Sequence, residues 1–228
     1  MHGATHSASA LRFEDTRRKS GPGKAENVQV WEIRTGKSLF HEGDVADYIY
    51  EIVSGVARSS KVLADGRRQI LFFGYPGTIM GVSDGASHDF DCTAITPLKV
   101  HAYNKTVFRD LMTEDGAFCR RFMDLTASEM RRMHEHFITL GRKSASEKLA
   151  SFLCALMDQH GVKAGAFTRV PLPMKQTDIA DFLGLTVETV SRVMSGFKRD
   201  STIAKQSPKT IDVLDERRLR AVAEQSAD

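Results

Sequence analysis

The sequence predicts an α+β fold in three parts: an antiparallel β-roll, a long helix suited to dimerisation, and a winged helix-turn-helix. Three observations carry this reading. Between Val28 and about Lys105, short apolar or alternating runs recur at regular spacing with turn residues between them, the pattern of a barrel or sandwich. From Lys105 the period becomes helical, and "DGAFCRRFMDLTASEMRRMHEHFITLGRK" holds an apolar stripe. Further on, "QTDIADFLGLTVETVSRVMSGF" sets two short helical runs on either side of a Gly-Leu-Thr break. The boundaries drawn from these changes are a tail over 1–27, the roll over 28–113, the long helix over 114–141 and a C-terminal domain over 142–228.

Composition limits the function classes. A chain of 228 residues has room for one large or two small domains, each with a real core. A formal net charge of +3 admits nucleic acid or a membrane surface without demanding either. The cysteines Cys92, Cys119 and Cys154 are odd in number and lack CxxC spacing, which argues against a disulfide framework or zinc knuckle and for a reducing cytoplasm. No apolar run approaches the roughly 18 residues of a membrane span, and the N-terminus has no apolar signal core. A cytoplasmic protein without a membrane partner is therefore expected. The first 27 residues are polar and nearly aperiodic, so a flexible tail is predicted, with His2 and His6 as bystanders rather than metal ligands.

In the roll, the predicted strands are "VQVWEI", "DYIYEIVSG", "VARSSKVL", "GRRQILFF", "TIMGV" and "LKVHAY". Turn signals separate them at Arg34-Thr35-Gly36-Lys37, Glu42-Gly43-Asp44, Ala64-Asp65-Gly66 and Tyr75-Pro76-Gly77. Asp65-Gly66 marks the clearest hairpin, because a tight primed turn needs positive φ at its centre. After a short "KTVFRDLM" turn, the long helix carries Phe118, Phe122, Leu125, Met133, Phe137 and Leu140 at helical spacing. From the residues alone that stripe either packs on its own sheet or pairs with the same helix of a second chain. His134 and His136 lie two apart, on different helix faces, and read as solvated surface rather than a metal site.

The C-terminal domain opens on a capping box, Ser144 and Glu147, ahead of an apolar run that ends at Gly161. In a helix-turn-helix a small residue sits where two helices cross, a glycine four positions later makes the turn, and apolar residues fill the gap. Here Ala180 is the small residue, Gly184 makes the turn, and Ile179, Leu183, Leu185, Val190 and Val193 are the fillers. Thr186 caps the second helix and Glu188 sits in its first turn, where the helix dipole favours an anion. Val187, Glu188, Thr189, Ser191 and Arg192 remain at the N-terminal end, the part a recognition helix inserts in the major groove of double-stranded DNA. Glu188, Ser191, Arg192 and Val187 are assigned to bases. A helical hairpin in a core is the competing reading, and it would set Glu188 and Arg192 where charge is costly.

Beyond Phe197, the alternation around Gln206-Ser207-Pro208-Lys209 predicts a β-hairpin wing. Lys198, Arg199, Lys205 and Lys209 suit phosphates, which position a protein without specifying sequence. Lys175, Gln176, Thr177, Thr186 and Thr189, at the starts of the two helices, are assigned to the DNA backbone with them.

This order of parts resembles the superfamily of the cyclic-AMP receptor protein and the fumarate and nitrate reduction regulator (CRP/FNR). Its most specific part is "DIADFLGLTVETVSRVMSGF", and the likeness runs from residue 28 to about 220. The resemblance implies a cyclic-nucleotide-binding-like roll, a homodimer whose interface is the stripe of Phe118, Phe122, Leu125, Met133, Phe137 and Leu140, RNA polymerase as a partner, no enzymatic activity, and TTGA-type half-sites read by Glu188, Ser191 and Arg192. The chemistry agrees, since Arg donates two bonds to guanine and Glu accepts from cytosine. Cyclic-AMP binding in the family uses a "GE" followed by an Arg pair for the phosphate. Here "IMGVSDGASHDFDCTA" keeps Gly81 but has Val82 in place of the Glu, with Asp89 and Asp91 near the expected Arg. The oxygen-sensing branch holds an iron–sulfur centre with N-terminal cysteines, and no cysteine precedes Cys92. The "ADGRRQI" and "YPGTIMG" stretches are most similar to the FixK branch, regulators of low-oxygen and nitrogen-fixation genes. A regulator without a cofactor is expected. Two alternatives are a roll that senses haem or another small molecule through His88, His101 or Cys92, and a cupin-type enzyme, for which the isolated His41, His88 and His101 lack the HxH pair.

Overall fold

The computed structural model describes residues 28–224; the predicted tail, with His2 and His6, lies outside them. The described residues form two compact bodies: residues 28–61 with Leu71–Leu125, and Val62–Ile70 with residues 126–224.

The first body is built on strands β1 (Val28–Ile33), β2 (Ser38–Phe40), β3 (Tyr48–Ser54), β4 (Ala57–Val62), β5 (Arg68–Gly74), β6 (Ile79–Met80), β7 (Asp91–Ala94) and β8 (Leu98–Asn104). They form antiparallel sheets ordered β1-β8-β3-β6 and β2-β7-β4-β5. Alternation along β8 turns Leu98, Val100 and Ala102 inward, where Trp31, Ile52, Met80, Phe40 and Cys92 meet them in one core. Register follows from this packing, with Val100 opposite both Trp31 and Ile52. Strands β2 and β7 were not anticipated from sequence, being three and four residues long.

The segment read as a short turn after β8 is a full helix, α1 (Lys105–Glu114). Asn104 caps it, its side chain accepting the Thr106 N–H at 3.0 Å. Helix α2 (Gly116–Arg142) follows, and Asp115 Oδ1 accepts the N–H groups of Ala117 and Phe118, each at 3.0 Å. Its first turns cover a second apolar cluster of Ile49, Tyr103 and Phe108. Phe118 and Phe122 are half-buried there, with ring centroids 5.5 and 5.2 Å from Phe108, because the start of α2 must cover the face that Phe108 leaves open. The residues that stand out from α2 are Met123, Met130, Met133, Phe137 and Ile138, each more than half exposed, while Leu125 and Leu140 are intermediate.

The second body contains α3 (Ala145–His160), β9 (Val162–Ala164), β10 (Phe167–Pro171), α4 (Gln176–Leu183), α5 (Val187–Arg199), β11 (Ile203–Ser207), β12 (Thr210–Val213) and α6 (Glu216–Glu224). The predicted capping box opens α3, with the Ser144 N–H donating to Glu147 Oε2 at 2.8 Å and the Glu147 N–H to Ser144 Oγ at 3.4 Å. The wing is β11 with β12, continued into a sheet ordered β11-β12-β10-β9. Arg169 on β10 fixes this sheet by donating from Nε at 2.9 Å and Nη2 at 3.1 Å to the carboxylate of Asp212 on β12. Helix α6 gave little sequence signal, because only Leu219 and Ala223 are buried among its charges. Lys143 holds its end, donating to the Ala223 carbonyl at 2.9 Å and to Ser151 Oγ at 2.7 Å.

Candidate nucleic-acid interface

Helices α4 and α5 pack together through the residues that sequence spacing chose for the crossing. Ile179, Ala180, Leu183 and Val190 are buried, and Leu185 and Val193 flank them half-buried. Gly184 closes α4 in the left-handed region at φ +62°, and the Leu185 N–H returns to the Ala180 carbonyl at 3.0 Å. Helix α5 then buries Val190, Met194 and Phe197, a four-then-three spacing that turns the opposite face outward.

That outward face carries Glu188, Ser191 and Arg192, all exposed and within one turn of each other. Together with Val187, Gln176 of α4 and Ser195 they line one open depression. Ser195 was missed in the sequence reading, although its place four residues after Ser191 sets it on the same face. Thr186 caps α5: its hydroxyl accepts the Thr189 N–H at 3.2 Å and lies 3.1 Å from Thr189 Oγ1. The Glu188 carboxyl is held below the usual carboxylate range by its own backbone N–H and then by the Thr186 hydroxyl. It is therefore an ionised acceptor at neutral pH.

The positions assigned to phosphates are distributed over α4, α5 and the wing. Lys175 and Thr177 are exposed at the start of α4, and Gln176 beside them is half-buried in the depression. Lys198 and Arg199 are exposed in the last turn of α5, and Lys205 and Lys209 are exposed on β11 and in the turn after it. A surface of this kind offers a guanidinium, a carboxylate and a hydroxyl on one helix face.

The roll offers less to a ligand. The loop from Gly81 to Phe90 is stitched to the loop from His41 to Asp47 by the Ala46 N–H to the Ala86 carbonyl at 2.9 Å, the His88 N–H to the Asp44 carbonyl at 2.9 Å, and the Gly43 N–H to the His88 carbonyl at 2.8 Å. Behind it, His88 stacks on Phe40 with centroids 3.8 Å apart, and Phe40 stacks in turn on Tyr50. A side chain at Gly81 would press within 3.0 Å of Tyr50 and 3.2 Å of His88. Asp91 bonds His41 at 3.2 Å and the Glu42 N–H at 3.0 Å, which sets a carboxylate at the edge. An acid there has the wrong charge to hold a nucleotide phosphate. His88 and Cys92 are buried in the roll, burial pushes the Cys92 thiol up to about 12, and His101 lies half-exposed against Tyr103. Among the described residues no group of three His, Cys, Asp or Glu side chains could hold a metal ion. Nor is any described helix long and apolar enough to cross a membrane.

The profile of the Crp-like helix-turn-helix domain matches residues 147–222, and that of the cyclic nucleotide-binding domain matches residues 30–115. The nitrogen fixation regulation protein FixK of Bradyrhizobium diazoefficiens is 38% identical over 189 residues, which cover 83% of this chain and 79% of that one. The transcriptional activatory protein AadR of Rhodopseudomonas palustris is 37% identical over 207 residues, 89% of this chain and 86% of that one. The structure of FixK2 from Bradyrhizobium japonicum superposes with a TM-score of 0.78 at 32% identity, covering 88% of this chain and 99% of that one.

Proposed function

Because the chain belongs to the CRP/FNR family of transcription regulators, which are not enzymes, we propose that it binds TTGA-type palindromes in double-stranded DNA as a homodimer, without cyclic AMP or an iron–sulfur centre. The observation that carries this reading is the exposed trio Glu188, Ser191 and Arg192 on a helix whose other face is committed to the core. Arg192 addresses guanine O6 and N7, Glu188 accepts from the cytosine amino group, and Ser191 completes the half-site contact. Lys175, Gln176, Thr177, Lys198, Arg199, Lys205 and Lys209 hold the phosphates on either side. Thr186 and Thr189 at the start of α5 join them, the Thr186 hydroxyl capping the helix as well.

Dimerisation is supported by α2. Met123, Met130 and Phe137 recur every seven residues and Met133 lies three beyond Met130, so the exposed apolar residues follow a coiled-coil seam. Two recognition helices related by a twofold axis then meet half-sites roughly 34 Å apart. The relatives named for nitrogen fixation support a role in nitrogen-fixation or low-oxygen control, exercised in the cytoplasm through RNA polymerase. The closed roll supports control through the amount of protein made rather than through a bound effector.

The test is selection of bound duplexes from a random library by the purified full chain. Recovery of TTGA-N-TCAA palindromes is expected, from a colourless protein whose affinity is unchanged by cyclic AMP. Recovery of no sequence preference, or an affinity rise of about tenfold with cyclic AMP, overturns the reading.

A further inference from the structure

The hairpin between β4 and β5 carries adjacent arginines with different fates. Arg67 stays local, its Nε donating to Asp65 Oδ2 at 2.7 Å across the turn, and its side chain is 79% exposed. Arg68 leaves the hairpin and reaches α4. Its Nη2 lies 2.8 Å from Asp178 Oδ1 and 2.6 Å from Asp181 Oδ2, and its Nε donates to Asp181 Oδ2 at 2.7 Å. Gln69 beside it donates from Nε2 to the Phe182 carbonyl at 3.4 Å, in the last turn of α4 where carbonyls lack helical partners. The hairpin thus touches α4 at both ends.

We propose that Arg68 is a positioning residue for DNA binding: it clamps the carboxylates of Asp178 and Asp181 and so sets the angle at which α4 presents the recognition helix α5. Asp178 and Asp181 are three apart, on one face of α4, and their like charges would repel without a cation between them. The Asp178 side chain is only 3% exposed, so its charge depends on partners rather than water. Asp178 Oδ2 also accepts the Lys175 N–H at 3.3 Å, which links the clamp to the backbone at the start of α4. Since α4 and α5 are packed through buried Ile179, Leu183 and Val190 and joined by a three-residue turn, a tilt of α4 passes to Glu188, Ser191 and Arg192. A specific complex needs those side chains in register with base edges, whereas a non-specific complex needs only charge.

This inference rests on α5 being the recognition helix. The experiment compares the full-length chain with Arg68→Ala, Arg68→Lys, Asp181→Ala and the Arg68→Ala/Asp181→Ala double variant, on a selected palindrome and on a scrambled duplex. Amide hydrogen exchange of Ile179–Leu183 is followed in parallel. Arg68→Ala should bind the palindrome about tenfold more weakly and the scrambled duplex within about twofold of wild type, with an unchanged salt slope. Exchange in α4 should quicken, Arg68→Lys should lie between, and the double variant should be no worse than Arg68→Ala alone. Losses that multiply in the double variant overturn the clamp. So does equal loss on both duplexes with a shallower salt slope, which would make Arg68 a phosphate contact, or tighter binding by Arg68→Ala. If the wild type fails to distinguish the duplexes, the reading of α5 falls. The exchange data then still decide whether Arg68 holds α4.

Discussion

The imidazole of His136 lies flat on the ring of Phe182, their centroids 3.9 Å apart and their planes within 6°. The stack joins α2 to the end of α4, directly before the turn at Gly184. Burial pushes His136 below its ordinary value of 6.5, with a smaller opposing pull from the Phe182 backbone and a further lowering from Lys148. The folded state therefore favours the neutral ring, and below 6.5 the unfolded chain binds more protons than the folded one. Stability should be full above that value and fall as the pH drops beneath it. Thermal melts at about pH 7.5 and about pH 5 should show the difference. His136→Phe keeps a flat ring without a proton site, so it should narrow the gap; His88 and His160, also lowered by burial, leave a remainder. An unchanged gap would mean that His136 titrates as freely folded as unfolded.

The exposed seam of α2 makes a prediction that separates it from the buried start of the same helix. Met130→Glu or Phe137→Glu should give monomers by sedimentation with little change in thermal stability of the roll. Phe122→Ala should instead leave the subunits associated and destabilise the first body by roughly 2 kcal/mol, about half the cost of emptying a fully buried Phe site. Monomers from Phe122→Ala alone would return that ring to the interface.

Base readers and phosphate contacts can be told apart by titration against palindromes with the G·C pair kept or swapped. Arg192→Ala should cost about 1–3 kcal/mol per half-site and relax the demand for that guanine. Lys198→Ala and Lys209→Ala should weaken all sequences alike and flatten the salt dependence. Equal loss on every duplex for Arg192→Ala would make it a backbone contact.

The turn itself is testable without DNA. A Cβ at Gly184 would meet only Leu140 Cδ2, at 3.7 Å, so Gly184→Ala carries backbone strain rather than a clash. A loss of about 1 kcal/mol is expected from the left-handed φ, and a similar loss from Thr186→Ala, which removes the cap of α5. Melts of the two variants that match wild type would show that neighbouring packing, not the turn, holds the helices apart.

How much of this was legible in the sequence follows from how local each signal is. Gly184, Thr186 and the Ser144–Glu147 box are defined by residues within a few positions of one another, and each sits where spacing set it. The outward face of α5 was legible for the same reason, with Ser195 overlooked because it lies one turn beyond the Val187–Arg192 stretch at the helix start. Short strands such as β2, β7 and β9 could not be read, since their pairing comes from partners far along the chain. The sorting of the α2 stripe was likewise hidden. Both Phe122 and Met130 satisfy helical periodicity, and only the presence of Phe108 beneath the first decides which one is covered. Arg68 looked like one of many basic loop residues until α4 supplied its carboxylates.

The division of α5 into an inner set, Val190, Met194 and Phe197, and an outer set, Glu188, Ser191, Arg192 and Ser195, has an evolutionary corollary. No outer residue helps fill the core, so under the proposed reading exchanging one would alter which promoters are occupied while leaving the fold's stability nearly untouched. A duplicated copy of such a chain can acquire a separate regulon through a handful of substitutions on four positions. The scaffold imposes no barrier to that drift; the cost falls on the operators that must change with it.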